Sequence, residues 1–494
     1  MTLRQRAFVP VLLFVGAVVS IISSLGAPLI PELASELGQS LSNTQWALTA
    51  TLVVAAVASP LVGRLGDGRH RKHVIVGSLS LVVLGGALAA LATSLGVLIV
   101  GRALQGLGLA LMPLTMAAAR QHLPREKAGR TIAALSVVGA AGVGLGYPIT
   151  GFIADHGGVH TAYWFGTAVS VLALVAATWA IPNPDHPAEQ RHIDYAGAAI
   201  IGAGLVALLV ALDKGADWGW GAPQTPSLLV AGLVLLAVWA RHELRTTEPL
   251  VDLRLMRHRA VLTANVTGLL LGVTMYLSMV TMTQFIQLDG FGFGQTVFVA
   301  GLALVPLSVM SASVSRTLPA LEARFGIRPI IPAGALAVAA ASLFFGLTAD
   351  HLWQAFVTTG ILGIGLGYTF AAMPGLIVGA VPPEETGSAM GFYQVSRFVG
   401  FALGSGLAIT LLRAFGDAGE PTLGSYHATA LIGCGLAVAT AVIAWVLPGR
   451  APATPVRSEA LGELEREEGL LAAAGLEDLE ERDDPRRTLA LSRH

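Results

Sequence analysis

Arg102 and Arg397 each stand inside a long apolar stretch with no acid beside them. At bilayer depth an arginine costs at least about 2.5–3.5 kcal/mol on insertion scales unless it is paired or hydrated, so each should face a cavity or a partner. A guanidinium keeps its proton, with a pKa above about 12, and therefore acts by exchanging partners. Titration falls to carboxylates, and none lies near the middle of any apolar stretch. The candidates are Glu32 at the end of the first stretch, Asp155 at the end of the fifth, and Asp67 in Gly63-Arg-Leu65-Gly-Asp67-Gly-Arg69-His-Arg71-Lys72. At 1.5 Å per residue Glu32 lies within about 10 Å of Arg102 in depth, so either the two form a pair that breaks on protonation or Glu32 is an exposed loop acid. Asp155 is then the alternative titrating group. Two guanidiniums without an acid at mid-depth favour neutral or anionic amphiphiles over dications.

The elements that must hold these residues follow from composition. Hydrophobic residues make up 54% of the 494 and charged residues 12%, against about 25% charged in soluble domains, so the solvent of this chain is lipid. A hydrocarbon core about 30 Å thick needs about 20 apolar residues per helix, and these runs lack the two-residue alternation of a barrel strand. Fourteen spans are expected, at about 9–30, 45–63, 74–93, 95–119, 131–154, 161–181, 195–212, 226–240, 260–286, 296–315, 329–348, 352–379, 387–412 and 427–447. Basic residues set the orientation. Of the 30 Lys and Arg, 19 fall in the N-terminal tail and alternate loops, while the other loops hold only Lys214 and Arg413, which places both termini in the cytoplasm.

The remaining counts exclude more than they assign. A net charge of −1 carries no information about a nucleic-acid partner, and the single Cys434 excludes an intramolecular disulfide. The twelve His show no metal-ligand spacing and no phosphate loop is present, so no metal, cofactor or enzymatic activity is expected and ATP is not the energy source.

Pro124-Arg-Glu126-Lys-Ala-Gly129 recurs as Pro382-Pro-Glu384-Glu-Thr-Gly387, and the same offset carries Gly142 to Gly400 and Gly146 to Gly404. Two parallel halves are expected: a six-helix bundle over 1–182 and another over 259–449, with two extra spans and linkers over 183–258. The segment 450–494 is acidic, poor in bulky apolar residues, and expected to be a disordered cytoplasmic tail.

Three motifs carry a family resemblance. The Gly63 loop resembles the loop between the second and third spans of the major facilitator superfamily, with Gly68 and His70 departing from the family's Arg and Gly. Leu98-x-x-x-Arg102-x-x-Gln105-Gly106-x-Gly108 is similar to the superfamily's fourth-span pattern. Gly139-x-x-Gly142-x-Gly144-x-Gly146-Tyr147-Pro148-x-x-Gly151 resembles the antiporter signature of the fifth span, with Tyr147 inserted before Pro148. Fourteen spans resemble the drug:proton antiporter family within that superfamily. The resemblance implies an all-α major facilitator fold and export of small amphiphilic molecules from the bacterial cytoplasm by proton antiport. It implies coupling roles for Arg102, Asp67, Arg71 and Lys72, and conformational roles for Gly63, Gly106, Gly142, Gly146, Pro148 and Gly151. The family often carries Asp in the outer first span, where this chain has Ile22 or Ser23.

On the ninth span Asn265, Gly272, Tyr276 and Thr283 share a face beside a stripe of Met275, Met279 and Met282. With Gln284, Tyr368, Phe370, Tyr393 and Arg397 they form the candidate substrate cavity. The expected partners are a small amphiphile, protons and the bilayer, and the chain is expected to work as a monomer. A facilitator or importer on the same fold, and a non-transporting scaffold, are the alternatives.

Overall fold

In lipid every backbone N–H and C=O must be bonded within the protein, which leaves an apolar chain of this kind the helix. A computed structural model of the protein describes residues 3–66, 71–182, 194–219, 221–378, 380–381, 386–417 and 420–447. Among them are helices and one isolated bridge, Asp417 to Glu420, with no strand. Asp67, Arg69, His70 and the segment 450–494 lie outside the described residues.

The first helices are α1 (Leu3–Ser24), α2 (Ile30–Glu36), α3 (Leu41–Gly66), α4 (Arg71–Ala90), α5 (Leu95–Leu109), α6 (Leu111–His122), α7 (Arg125–Gly157) and α8 (Val159–Ala180). Next come α9 (Tyr195–Trp218) and α10 (Gln224–Arg245). The remainder are α11 (Arg259–Gln287), α12 (Val297–Leu302), α13 (Val305–Ser315), α14 (Leu318–Phe325), α15 (Ile330–Thr348), α16 (Leu352–Val378), α17 (Thr386–Ala414) and α18 (Leu423–Val446). Thirteen helical segments among the described residues are long and apolar enough to cross a membrane. The expected fifth span, 131–154, falls within α7 and is helical throughout, though α7 is not one of the thirteen.

Three expected spans are broken rather than continuous. The first stops at Ser24, passes through a 3-10 turn at Ala27–Leu29 and restarts as α2. Pro28 and Pro31 cause this, since neither can donate the N–H that would continue the ladder. The fourth span breaks at Ala110 and the tenth at 303–304, ahead of Pro306.

Contacts sort the helices. α1 and α3–α8 pack among themselves, as do α11 and α13–α18, while α9 and α10 form a tight pair. Gly146 of α7 lies against Ser24 of α1, and Gly404 of α17 lies against the carbonyl of Val273 in α11, so positions at the repeat offset each meet the helix that opens its group.

The α9–α10 pair is held by a polar cluster at its base. Asp194 accepts from Gly197 N at 2.8 Å and lies 2.8 Å from His242 Nε2. Glu243, fully buried, accepts from Trp239 Nε1 at 2.9 Å and from Val251 N at 3.1 Å, which satisfies both carboxylate oxygens. α9 touches both groups: Lys214 donates to Asn43 of α3 at 2.6 Å, and Thr410 of α17 donates to the carbonyl of Leu212 at 3.1 Å.

Candidate functional site

Arg102 is the largest of the fully buried side chains, at 1% exposure. Its Nη1 donates to Gln105 Oε1 at 2.8 Å, one turn along α5, and reaches the carbonyl of Ile22 at 3.5 Å. The break after Ser24 explains this second contact. Leu25 N also reaches the Ile22 carbonyl, at 3.3 Å, and Arg102 adds a cation to a helix end that carries about half a negative charge. Nη2 has no hydrogen-bond partner, and the guanidinium lies 5.9 Å from the centre of the Tyr163 ring of α8. Tyr147 and Tyr276 are its electrostatic neighbours from α7 and α11. α5 is held against α3 where Gly106 meets the Thr51 carbonyl, and Thr51 Oγ1 donates to the carbonyl of Arg102 at 3.0 Å.

The expected pair of Glu32 with Arg102 is not formed. Glu32 is half-buried on α2, its Oε2 is sealed without a hydrogen-bond partner, and its electrostatic neighbours are Asp155 and Glu36. Depth counted along a straight helix brought the two together; the break at 25–29 gives Arg102 a helix end instead.

Asp155 does what the sequence reading did not foresee. At the end of α7 its Oδ1 accepts from Val297 N at 3.0 Å and its Oδ2 from Phe298 N at 3.0 Å. It thereby caps α12, the first half of the broken tenth span, which packs on α7 and runs on into α13 of the other group. Among the described residues, further hydrogen bonds cross between the groups at this same end, away from the Gly63 loop. Gln45 Nε2 donates to Ser405 Oγ at 2.7 Å, Thr49 and Ser405 hydroxyls lie 3.1 Å apart, Gln287 Nε2 donates to the Pro28 carbonyl at 2.9 Å, and Tyr147 Oη donates to Met279 Sδ at 3.6 Å. Here α7 and α12 cross at Gly151 and Gly301. A Cβ on Gly151 would lie 2.8 Å from Phe298 Cα, and one on Gly301 would lie 2.6 Å from the Tyr147 carbonyl oxygen, so backbone meets backbone and only glycine fits. Pro148 sits inside α7 between these contacts.

Arg397 of α17 is half-buried. It lies 4.5 Å from the ring centre of Phe370, 5.5 Å from Phe401 and 5.6 Å from Tyr393, and its Nη1 donates to Gln394 Oε1 at 2.9 Å. Tyr276 stacks on Phe401 at 4.6 Å. The other cavity candidates scatter. Asn265 bonds Ser396 and the Val261 carbonyl, Tyr368 bonds Thr317, Met279 sits in the cross-group contact, and Gln284 is buried with both amide atoms unpaired. Arg71 is buried at the start of α4, Lys72 is half-buried beside it, and Gly63 lies in the last turn of α3. Gly142 lies within α7.

The Major Facilitator Superfamily profile matches residues 12–350 and 318–481 of the chain. The chain belongs to the Major Facilitator Superfamily. It is a membrane transporter of that type, and its likeness to named relatives spans most of its length. It is 28% identical over 432 residues to the tetracenomycin C resistance and export protein of Streptomyces glaucescens, covering 84% of this chain and 78% of that one. To the multidrug resistance protein B homolog of Mycobacterium tuberculosis it is 25% identical over 385 residues, covering 76% and 71%. Among solved structures, the nucleoside transporter NupG superposes with a TM-score of 0.62 at 13% identity, covering 90% of this chain and 100% of that one. The peptide transporter POT in complex with sulfate superposes with a TM-score of 0.66 at 16% identity, covering 90% and 94%. These structures support the major facilitator fold alone.

Within this superfamily member the residues missed by sequence reading are Tyr163, Ser405, Phe401, Gln287 and Gly301. Each acts through a neighbour distant in the chain. Gly301, an isolated glycine in an apolar helix, carried the one readable signal, since such a glycine often marks close packing.

Proposed function

We propose that this transporter exports small amphiphilic molecules across the bacterial cytoplasmic membrane in exchange for protons, with both termini in the cytoplasm and the monomer as the working unit. The observation that carries the reading is the carboxylate of Asp155 holding two backbone N–H groups across the seam between the two groups of helices. Alternating access requires such contacts to break and reform, and a carboxylate is a contact that a proton can weaken. Asp155 is exposed and so meets the protons on its own side; it acts as the latch of the outer end. Glu32, half-buried beside it with no ion pair to break, is the residue assigned to carry the proton. Arg102 holds the end of α1 while the seam opens. The two bundles are assigned to 1–182 and 259–449, with the inserted pair within 183–258. The names of the relatives, a resistance and export protein and a multidrug resistance protein homolog, support export of toxic organic molecules.

The test is uptake of a substrate panel into inverted vesicles, with and without collapse of the pH gradient. Loss of uptake on collapse is expected. Uptake that persists unchanged for every accepted substrate would replace exchange by facilitated movement, a reading favoured by one observation: the first span offers Arg102 the carbonyl of Ile22 where an acid would couple.

A further inference from the structure

The rings of Tyr276, Phe370, Phe401 and Phe398 form one cluster drawn from α11, α16 and α17. Tyr276 and Phe401 stack at 4.6 Å and 29°, Phe370 meets Phe401 edge-on at 6.4 Å, and Phe398 meets it edge-on at 5.8 Å. Glycines on α11 bring the helices close enough for this, since a Cβ on Gly272 would lie 3.2 Å from Phe401 Cδ1 and 3.0 Å from the Arg397 carbonyl oxygen. A bare aromatic cluster suits a cation, whose charge is drawn to ring faces. In this cluster those faces already serve Arg397, which lies within 5.6 Å of three ring centres. A second cation would meet a fixed positive charge.

The charge around the cluster is one-sided. Tyr276 is an electrostatic neighbour of both Arg397 and Arg102, so positive charge from both groups of helices acts on the stack. Neither forms an ion pair with an Asp or Glu among the described residues, and each keeps a nitrogen with no hydrogen-bond partner, Nη2 in Arg102 and Nε in Arg397. Arg102 has the end of α1 as a partial counter-charge; Arg397 has only rings and the Gln394 amide. Guanidiniums recognise carboxylates and similar anions through the N–H edge while their faces stack on rings, and Arg397 is arranged for both.

We infer that the substrates are planar aromatic molecules bearing an acidic group, the ring system seated against the Tyr276–Phe401 stack and the anion on Arg397, an assignment that rests on the transport reading above. Phe370 and Tyr393 hold the guanidinium in place, and Arg102 supplies the second positive charge across the seam.

The test uses two dyes with the same xanthene ring frame and opposite charge, fluorescein and rhodamine 6G, whose carboxyl is esterified, bound to the purified full-length protein in neutral-lipid nanodiscs without a pH gradient and read by fluorescence polarisation. Fluorescein is expected to bind at least about tenfold more tightly than rhodamine. Arg397→Gln should lower fluorescein affinity by about tenfold to a hundredfold, the range for losing one charged hydrogen-bond partner, while leaving rhodamine unchanged or improved. Phe401→Leu should weaken both dyes together. Arg397→Lys serves as the folded control and should keep the preference for the anion. Tighter binding of rhodamine, no binding of fluorescein, or an equal loss of both dyes in Arg397→Gln would overturn the assignment. Because no gradient is present, failure of proton coupling leaves this result untouched. Gradient-driven export confined to cationic dyes would keep the transport reading and sink this one.

Discussion

Replacing Asp155 by asparagine isolates the latch, because the side chain keeps its shape and loses its charge. The carboxylate accepts from Val297 N and Phe298 N, both at 3.0 Å. A hydrogen bond to a charged acceptor contributes about 1.5–3 kcal/mol and a neutral one about 1 kcal/mol. Asparagine retains one neutral acceptor and turns its NH₂ towards the other N–H, so the loss is about 2–5 kcal/mol. Water competes at this exposed site, and about 2 kcal/mol, the lower end, is the expected value. That is a change of about thirtyfold in the ratio of open to closed, enough to raise a population of about 1% open at the outer end to about a quarter. Spin labels at Gln39 and Asp289, in a variant with Cys434 replaced, report the separation of the two groups at that end. Asp155→Asn should add a longer-distance population at neutral pH. Acid should produce the same population in the parent protein, because a protonated carboxyl presents a donor to an N–H, and should produce no further change in the variant. Matching distance distributions in parent and variant would refute the latch.

Glu32→Gln, which removes the group assigned to carry the proton, should uncouple transport from the pH gradient while leaving substrate binding measurable; efflux that keeps its dependence on pH would remove Glu32 from the mechanism. Gly301→Ala places a Cβ 2.6 Å from the Tyr147 carbonyl oxygen with no flexible side chain to give way, so the outer end should fail to close and the protein should lose about 1–3 kcal/mol, checked by label distance and thermal unfolding. Arg102→Ala should reach the membrane at near-normal levels and lose gradient-driven transport, while Arg102→Lys, with charge but no planar fork, should recover part; full transport in Arg102→Ala would make the fourth-span motif structural.

Charge inside an apolar run is legible without any structure, and for that reason Arg102 and Arg397 stood out in the sequence. The helices were legible for a related reason, since lipid leaves the backbone few alternatives. Short breaks were not. A hydropathy window averages over Gly26–Pro28 and over Ala110, although the missing donors of Pro28 and Pro31 are what create the helix end that Arg102 serves. Asp155 was legible as a candidate titrating acid, but its partners were not, since they are backbone N–H groups far along the chain, which no residue type announces. The ring cluster around Arg397 draws Phe370 and Tyr276 from two other helices, and helical spacing on one span says nothing about a neighbour's rings.

The α9–α10 pair makes the two flanks of the helix assembly unlike. One flank, where α3 meets α17, is covered by α9, which bonds to both helices through Asn43 and Thr410. The other, where α7 meets α12 and α13, has no such cover among the described helices. Any sideways parting of the two groups is therefore hindered by α9 on the first flank, and on the second it has only the close crossing of Gly151 and Gly301 to undo.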